Sequence, residues 1–511
     1  MRALAIGAAL AACGQPEAAP PVHRPAAPAG AVGMAAGSAA PAPPAAIAAP
    51  TLRLPDGVAP VAYDLTLELD PERASFTGRV AITIAITAPG TARLWLHAAE
   101  LDIARAVLRD GGRDLPLARI DADGDPDGDP DGDPGGDAQL VGFALPRPIG
   151  PATVTLVIEY AGRVSEPERR GGVVEHAEEG LFRERTGGRW YLYSQAESIF
   201  ARRITPCFDE PRFKPAWRVT AIVPRDAIAL SNAAPAGERV LPDGRREVRF
   251  AEIAALPSYL LAVAVGPFEL VDAGRLGRRG TPVRIAVTAG DTGRVTAARR
   301  HLPRIIDALE RYVDAPLPLA KLDLVAVPEF FGAMENPGLI TFQTAMLVRD
   351  REFVRVAAHE LAHQWFGDSV TPAWWDDLWL SEAFASWLGD RVTAELDASR
   401  PVALVHQERI RALEADDALG ARAVVEPIAR SRDIEPAFDA IAYEKGAAVL
   451  ATFERFAGPA AFQAAVRGYL AAHAGAPVTS RAFLDALAGA TRREIAEALA
   501  TNLAHAGTPV V

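Results

Sequence analysis

At 511 residues the chain is too long for one ordinary core, and with half its residues apolar and 23% charged it has the composition of a globular protein of two or three domains. No apolar run approaches the roughly 18 residues a spanning helix requires, which excludes an integral helical membrane protein. The net charge is −12, but the eight aspartates from Asp121 to Asp137 leave only about −4 for everything else, so there is no basic field for a phosphate backbone and no nucleic-acid partner is expected.

In chain order, Met1-Arg2, an apolar stretch from Ala3 to Ala12 and then Cys13 follow the order of a positive region, an apolar core and a processing site. Leu10-Ala11-Ala12-Cys13 resembles a bacterial lipobox. That resemblance implies a lipidated cysteine at the mature N-terminus, and so a chain exported and lipid-anchored to a bacterial membrane, in the periplasm or at the cell surface. The apolar core is short, and an Ala-rich irregular start is the other reading of residues 1–13. Residues 14–50 are dominated by Ala and Pro and read as a disordered tether.

Residues 51–287 read as an N-terminal antiparallel β-sandwich or saddle. Segments Ala62 to Leu69, Gly78 to Thr87, Val154 to Tyr160, Arg218 to Val223 and Ser258 to Val265 are short, rich in Val, Ile, Thr and aromatics, and bounded by Gly, Pro or Asp. The acidic insertion 121–137 repeats Gly-Asp-Pro. An acidic loop could hold calcium, but the proline repeat matches no calcium-loop register, so a solvated loop is expected.

Residues 288–511 carry a helical period: His301 to Val313, Glu352 to Phe366, Asp376 to Arg391, Pro401 to Ala415, Ala437 to Ala457, Ala460 to Ala472 and Ser480 to Leu487. One strand-like segment, Leu322 to Pro328, precedes Glu329 to Phe342, whose Gly-Ala-Met-Glu-Asn-Pro-Gly character is loop chemistry beside a strand. The fold class is thus α+β.

His359-Glu360-Leu361-Ala362-His363 lies in one of these helical runs. Histidines four apart on a helix are separated by about 40° and 6 Å, so both imidazoles reach one point, and the pair is two ligands of a divalent-metal site. Glu360 lies about 100° round from His359, close enough to act on a metal-bound water without binding the metal. Catalytic zinc takes a third protein ligand and keeps an open position, and Glu382 on the next predicted helix supplies the candidate. Thr371-Pro372 is expected to make the turn between those two helices.

Further blocks carry a resemblance. His359 to His363 with Glu382, Gly332-Ala333-Met334-Glu335-Asn336 upstream, Trp375 to Glu382, Tyr443-Glu444-Lys445-Gly446, and Gln195-Ala196-Glu197 with Pro206-Cys207-Phe208-Asp209-Glu210-Pro211 resemble, in order, the zinc aminopeptidases of the aminopeptidase N and leukotriene hydrolase type. The resemblance implies a thermolysin-like catalytic domain and one Zn2+ per chain on His359, His363 and Glu382. It implies Glu360 as general base and Tyr443 as donor to the oxyanion, a contact worth about 3 kcal/mol in the transition state. Glu335 and Glu197, with Gln195 as a neutral acceptor, would bind the free N-terminal ammonium of a peptide substrate. Gly332, Ala333 and Met334, next to Asn336, would let the substrate backbone approach as an added strand. A catalytically weak or inactive peptide-binding homologue at the cell surface is the alternative.

Several residues depart from the family pattern or stand beside it. Ser381 replaces the usual Asn before the third ligand and Ala383 the usual Gly after it, which leaves the ligands unchanged; Thr205 replaces a common Phe. Cys207 reads as a buried small hydrophobe. Trp374, Trp375, Trp379 and Trp387 read as packing between helices. Asp377 reads either as a support for a ligand imidazole or as an exposed acid at a helix start. Family members usually continue into further C-terminal domains, so the end of this chain implies either a minimal enzyme with an open cleft or a truncated product.

Overall fold

The computed structural model describes residues 49–121, 139–170, 173–175, 179–396, 410, 414, 416–417 and 421–507. The signal segment, nearly all of the tether and of the acidic loop, most of the expected helix 401–415 and residues 508–511 lie outside the described residues.

Alternation builds the first half. In Ser75–Ile86 every second side chain is buried, with Val80, Ile82, Ile84 and Ile86 on the inner face, each contributing about 2 kcal/mol by burial. This strand is central in an eight-stranded sheet ordered Pro235–Val240, Arg246–Phe250, Ala216–Val223, Val58–Glu68, Ser75–Ile86, Ala152–Arg163, Leu101–Asp110 and Arg113–Pro116. The expected antiparallel pairing holds except between Val58–Glu68 and Ala216–Val223, which run parallel. A three-stranded sheet (Thr91–His97, Leu140–Ile149, Ala118–Asp121) and a four-stranded sheet (Gly180–Thr186, Arg189–Gln195, Val263–Gly266, Ile228–Ser231) share its core. Ser258 to Val265 is not one strand as expected. Ser258–Leu260 forms a 3-10 turn, and pairing starts at Val263.

The Pro206 to Pro211 block ties these sheets together. Asp209 accepts hydrogen bonds from Arg202 Nε at 2.9 Å and Ser258 Oγ at 2.5 Å, while its backbone N–H donates to His97 Nδ1 at 3.2 Å. Glu210 accepts from Arg53 Nε at 2.7 Å and from the Leu54 backbone at 2.5 Å, and so holds the entering chain. Cys207 is fully buried and unpaired, and Thr205 is buried in the same core.

A five-stranded sheet then runs Glu269–Leu276, Thr281–Val287, Leu322–Val327, Leu339–Gln343 and Ala333–Met334, crossing residue 287. All six side chains of Leu322–Val327 are buried, as expected of a strand covered on both faces and flanked by parallel neighbours. Ala333–Met334 lies at the edge. Helices α1 (Thr296–Val313), α2 (Asp350–Ala362) and α3 (Trp379–Leu396) pack with this sheet in a second core, and Gly446–Ala457, Pro459–His473, Ser480–Ala490 and Arg493–Leu503 complete it. The last of these is not among the expected helices, although Ile495, Ala496, Leu499 and Leu503 bury one face of it at helical spacing. The segment Ala437 to Ala457 is not one helix: Glu435–Ala437 is a 3-10 turn, Ile441–Lys445 a π-helical turn, and the α-helix starts at Gly446. Thr371-Pro372 is not a turn but a short strand parallel to Pro477–Val478.

Candidate active site

Helix α2 starts with Asp350 and Glu352, acids that suit the positive end of its dipole. Its last turn presents His359 and Glu360, and His363 follows at the C-cap, its N–H donating to the His359 carbonyl at 3.2 Å. The two Nε2 atoms stand 3.0 Å apart. Glu382, in the first turn of α3, brings Oε2 to 3.5 Å from each of them. The helices approach this closely because residue 389 is glycine: a Cβ there would lie 3.0 Å from the His359 backbone nitrogen.

The outward nitrogens are also engaged. His363 Nδ1 lies 3.0 Å from the Phe366 carbonyl and 3.0 Å from Ser381 Oγ, and His359 Nδ1 lies 3.4 Å from Ser386 Oγ. A carbonyl only accepts, so Nδ1 of His363 carries a proton, and Nε2 is the atom that faces Glu382 and would turn to a metal once its own proton is displaced. Until then burial opposes the charge, but Glu335 and Glu382 outweigh it and favour the imidazolium. Two imidazoles and a carboxylate with ligand atoms within 4.8 Å, His359 half-buried and the other two buried, with at least one tautomer fixed by an outer acceptor, are a donor set that fits zinc. Burial opposes charge on Glu382, but His363 and His359 outweigh it and hold the carboxyl down to about 2, ionised at any working pH.

Three further carboxylates converge there. Glu335, Glu360 and His363 form one group, and Glu197, Glu335 and Glu382 a second, each within 4.8 Å. Burial pushes Glu197 well up, and Glu335 and Glu382 push it further. Burial likewise pushes Glu360 well up, opposed by His363 and reinforced by Glu335. Such a cluster attracts cations. Gln195 donates from Nε2 to the Met334 sulfur at 3.4 Å, while its Oε1 and Oε1 of Glu335 are buried without a hydrogen-bond partner among the described residues. These are acceptors suited to an ammonium.

Tyr443 lies on the π-helical turn with its ring 6.0 Å from that of His359 and 20° from parallel. Burial, then Glu382 and Glu197, drive its phenol well above 10, so the O–H stays a donor. The turn meets α3 at Gly446, where a Cβ would come 2.5 Å from that of Ala383. Glycine at 446 makes room for the methyl at 383.

The structure therefore brings together His359, His363, Glu382, Glu360, Glu335, Glu197, Gln195, Met334 and Tyr443. Gly332 (φ +88°) leads into the open edge Ala333–Met334. Asn336 is 1% exposed, and its carbonyl closes the turn to Leu339 at 2.9 Å. Asp377 is neither exposed nor near an imidazole: it is buried and bonded to Ser480, which also accepts from Trp379 Nε1 at 2.8 Å. Trp374, Trp375, Trp379 and Trp387 are buried as packing. Sequence reasoning missed Ser386, although it lies four residues past Glu382 and so on the same helical face.

A β-rich half joined to a helical half with a His-Glu-x-x-His centre is the arrangement of a metallopeptidase. Residues 298–501 match the Peptidase family M1 domain and residues 59–260 the Peptidase M1 N-terminal domain. The chain belongs to peptidase family M1. Aminopeptidase M1-B of Oryza sativa subsp. japonica is 30% identical over 475 residues, 90% of this chain and 51% of the relative. Aminopeptidase M1-A of the same plant is 32% identical over 438 residues, 82% and 47%. Glutamyl aminopeptidase of Mus musculus is 30% identical over 474 residues, 90% and 48%. The chain thus spans about half the length of the curated relatives it matches.

Proposed function

We propose that the chain is a zinc-dependent aminopeptidase that removes N-terminal amino acids from peptides, with one zinc on His359, His363 and Glu382. The observation that carries this reading is the shared carboxylate. Glu382 belongs both to the imidazole cluster and to the Glu197–Glu335 group, so a ligand held by the second group lies next to the first.

Zinc, when bound, lowers the pKa of water to about 7 and polarises a carbonyl. Glu197, Glu335 and Gln195 Oε1 take the free ammonium of the substrate, and the Ala333–Met334 edge takes its backbone. Glu360 accepts the proton of the attacking water and returns it to the leaving amine. Tyr443 donates its O–H to the oxygen that gains charge as the carbonyl is attacked. A blocked N-terminus leaves the carboxylates unpaired and is rejected.

The test is turnover of an aminoacyl arylamide and its N-acetyl counterpart, with and without a chelator. Cleavage of the free form alone, abolished by chelation, is expected, and Glu360→Gln should keep zinc and lose turnover. Equal cleavage of both forms would reject the exopeptidase reading, and zinc bound without turnover would leave a peptide-capturing protein.

The location is also a proposal. The lipobox-like residues Leu10 to Cys13 support an exported chain anchored by lipid to a bacterial membrane. No helix among the described residues is long and apolar enough to cross one. Labelled palmitate should enter the wild-type protein and not Cys13→Ser.

A further inference from the structure

Only three of the 53 basic residues are lysines, Lys214, Lys321 and Lys445; all others are arginine. None of the three is exposed, and each grips backbone beside a different segment of the site.

Lys214 comes from the loop after the Pro206 to Pro211 block. Its Nζ donates to the carbonyls of Asp368 at 2.7 Å and Ser369 at 2.8 Å and to Thr371 Oγ1 at 2.6 Å. That turn directly follows the metal helix. Thr371 Oγ1 donates on to the Gly367 carbonyl at 2.6 Å. Gly367 in turn lies where a Cβ would come 2.3 Å from Ser381 Oγ and 3.2 Å from His363 Nδ1. Moving this turn moves the outer partners of His363.

Lys321 donates to the carbonyls of Gly338 and Ser231, both at 2.6 Å, and to Asp323 Oδ2 at 2.9 Å. Gly338 closes the turn that begins at Glu335 and Asn336. It fits so tightly that a Cβ would lie 2.1 Å from the Asn232 carbonyl oxygen. Lys445 ends the π-helical turn of Tyr443 and donates to Asp416 Oδ1 at 2.5 Å and the His505 carbonyl at 3.2 Å.

We propose that the three lysines are positioning residues, each fixing one segment of the site: Lys214 the metal turn, Lys321 the ammonium-binding turn and Lys445 the tyrosine turn. Ammonium geometry explains why arginine, used at every other basic position, is absent here. An ammonium directs three hydrogens to diverging acceptors on a compact head, all three met at Lys214 and Lys321 and two at Lys445, whereas a planar guanidinium forks within one plane and occupies more room. The inference rests on the aminopeptidase reading of the same site.

The test uses Lys214→Arg, Lys321→Arg and Lys445→Arg in the full chain, each compared with wild type for zinc affinity, KM, kcat and unfolding midpoint. Assays run below pH 7, because burial draws the Lys214 ammonium down to about 7. Lys214→Arg should weaken zinc about 10- to 100-fold. Lys321→Arg should raise KM for the free arylamide roughly tenfold with zinc affinity unchanged, and Lys445→Arg should lower kcat roughly tenfold with zinc affinity and KM unchanged. At any position where the arginine variant does not fold, the alanine variant prepared in ethylammonium takes its place, and removing the amine should produce the same segment-specific loss. One common profile that follows the unfolding midpoint, or constants all within about twofold of wild type, overturns the assignment. A wild-type chain without zinc or turnover rejects the aminopeptidase reading and this inference with it; an active wild type with indifferent variants rejects this inference alone.

Discussion

Ser381 Oγ lies 3.0 Å from His363 Nδ1, beside the Phe366 carbonyl, so the imidazole is held from outside by two oxygens. The sequence marked this residue only as a departure from family pattern, because nothing in a linear motif says which way a side chain beside a ligand points. Ser381→Ala should weaken zinc binding about 10- to 100-fold while leaving the fold intact, as read by competition with a chelator. An unchanged affinity would mean that the Phe366 carbonyl alone orients the ring. Tyr443 supplies the opposite case, where the motif named the residue and the structure set its chemistry. Its phenol stays protonated because burial and the surrounding carboxylates disfavour the phenolate. Tyr443→Phe should therefore lose about 10²- to 10³-fold in kcat with zinc content unchanged. Comparable loss of zinc in that variant would reassign Tyr443 to holding the metal site.

The central elements were legible because their patterns are local. Alternation in Ser75–Ile86 and the four-residue spacing in α2 need no knowledge of partners. Three elements differ from their local pattern. Ser258 to Val265 is apolar enough for a strand, but a 3-10 turn takes its first residues and pairing starts only at Val263. Ala437 to Ala457 is periodic enough for a helix, but Asp439 and Ala440 accept the first backbone N–H groups and wind them as a π turn. Thr371-Pro372 has turn chemistry, but a distant partner, Pro477–Val478, draws it into a strand. The strand Leu322–Val327 carries a buried charge that pattern alone does not explain. Asp323 accepts from Arg284 Nη2 at 2.7 Å and Lys321 Nζ at 2.9 Å. Burial opposes its ionisation, yet these two cations hold its carboxyl below the usual 3.8. The folded value being the lower one, the stabilisation is present above about pH 3.8 and is lost as the pH falls through the folded value. Asp323→Asn should cost about 3 kcal/mol near neutral pH, and the gap in unfolding midpoint between variant and wild type should close in acid. A gap that stays constant down to low pH would show that the loss is one of packing.

Across the whole molecule, the site draws on segments far apart in the chain: the Gln195 and Glu197 strand end, the Glu335 turn, α2, α3 and the Tyr443 turn. The family blocks named most of these residues, but they did not reveal how the segments are held in register. That information is carried by backbone carbonyls and by glycines at 367, 389 and 446, whose importance lies in what a Cβ there would strike. The five-stranded sheet that crosses residue 287 joins strands on both sides of the expected domain boundary, so the β-rich half and the metal helices share one support. Every role proposed for these residues depends on His359, His363 and Glu382 holding a single zinc. The most direct measurement is zinc per chain in purified wild type, Glu360→Gln and His363→Ala. One equivalent in the first two and nearly none in the third is expected, while zinc absent from wild type, or retained in His363→Ala, contradicts the account.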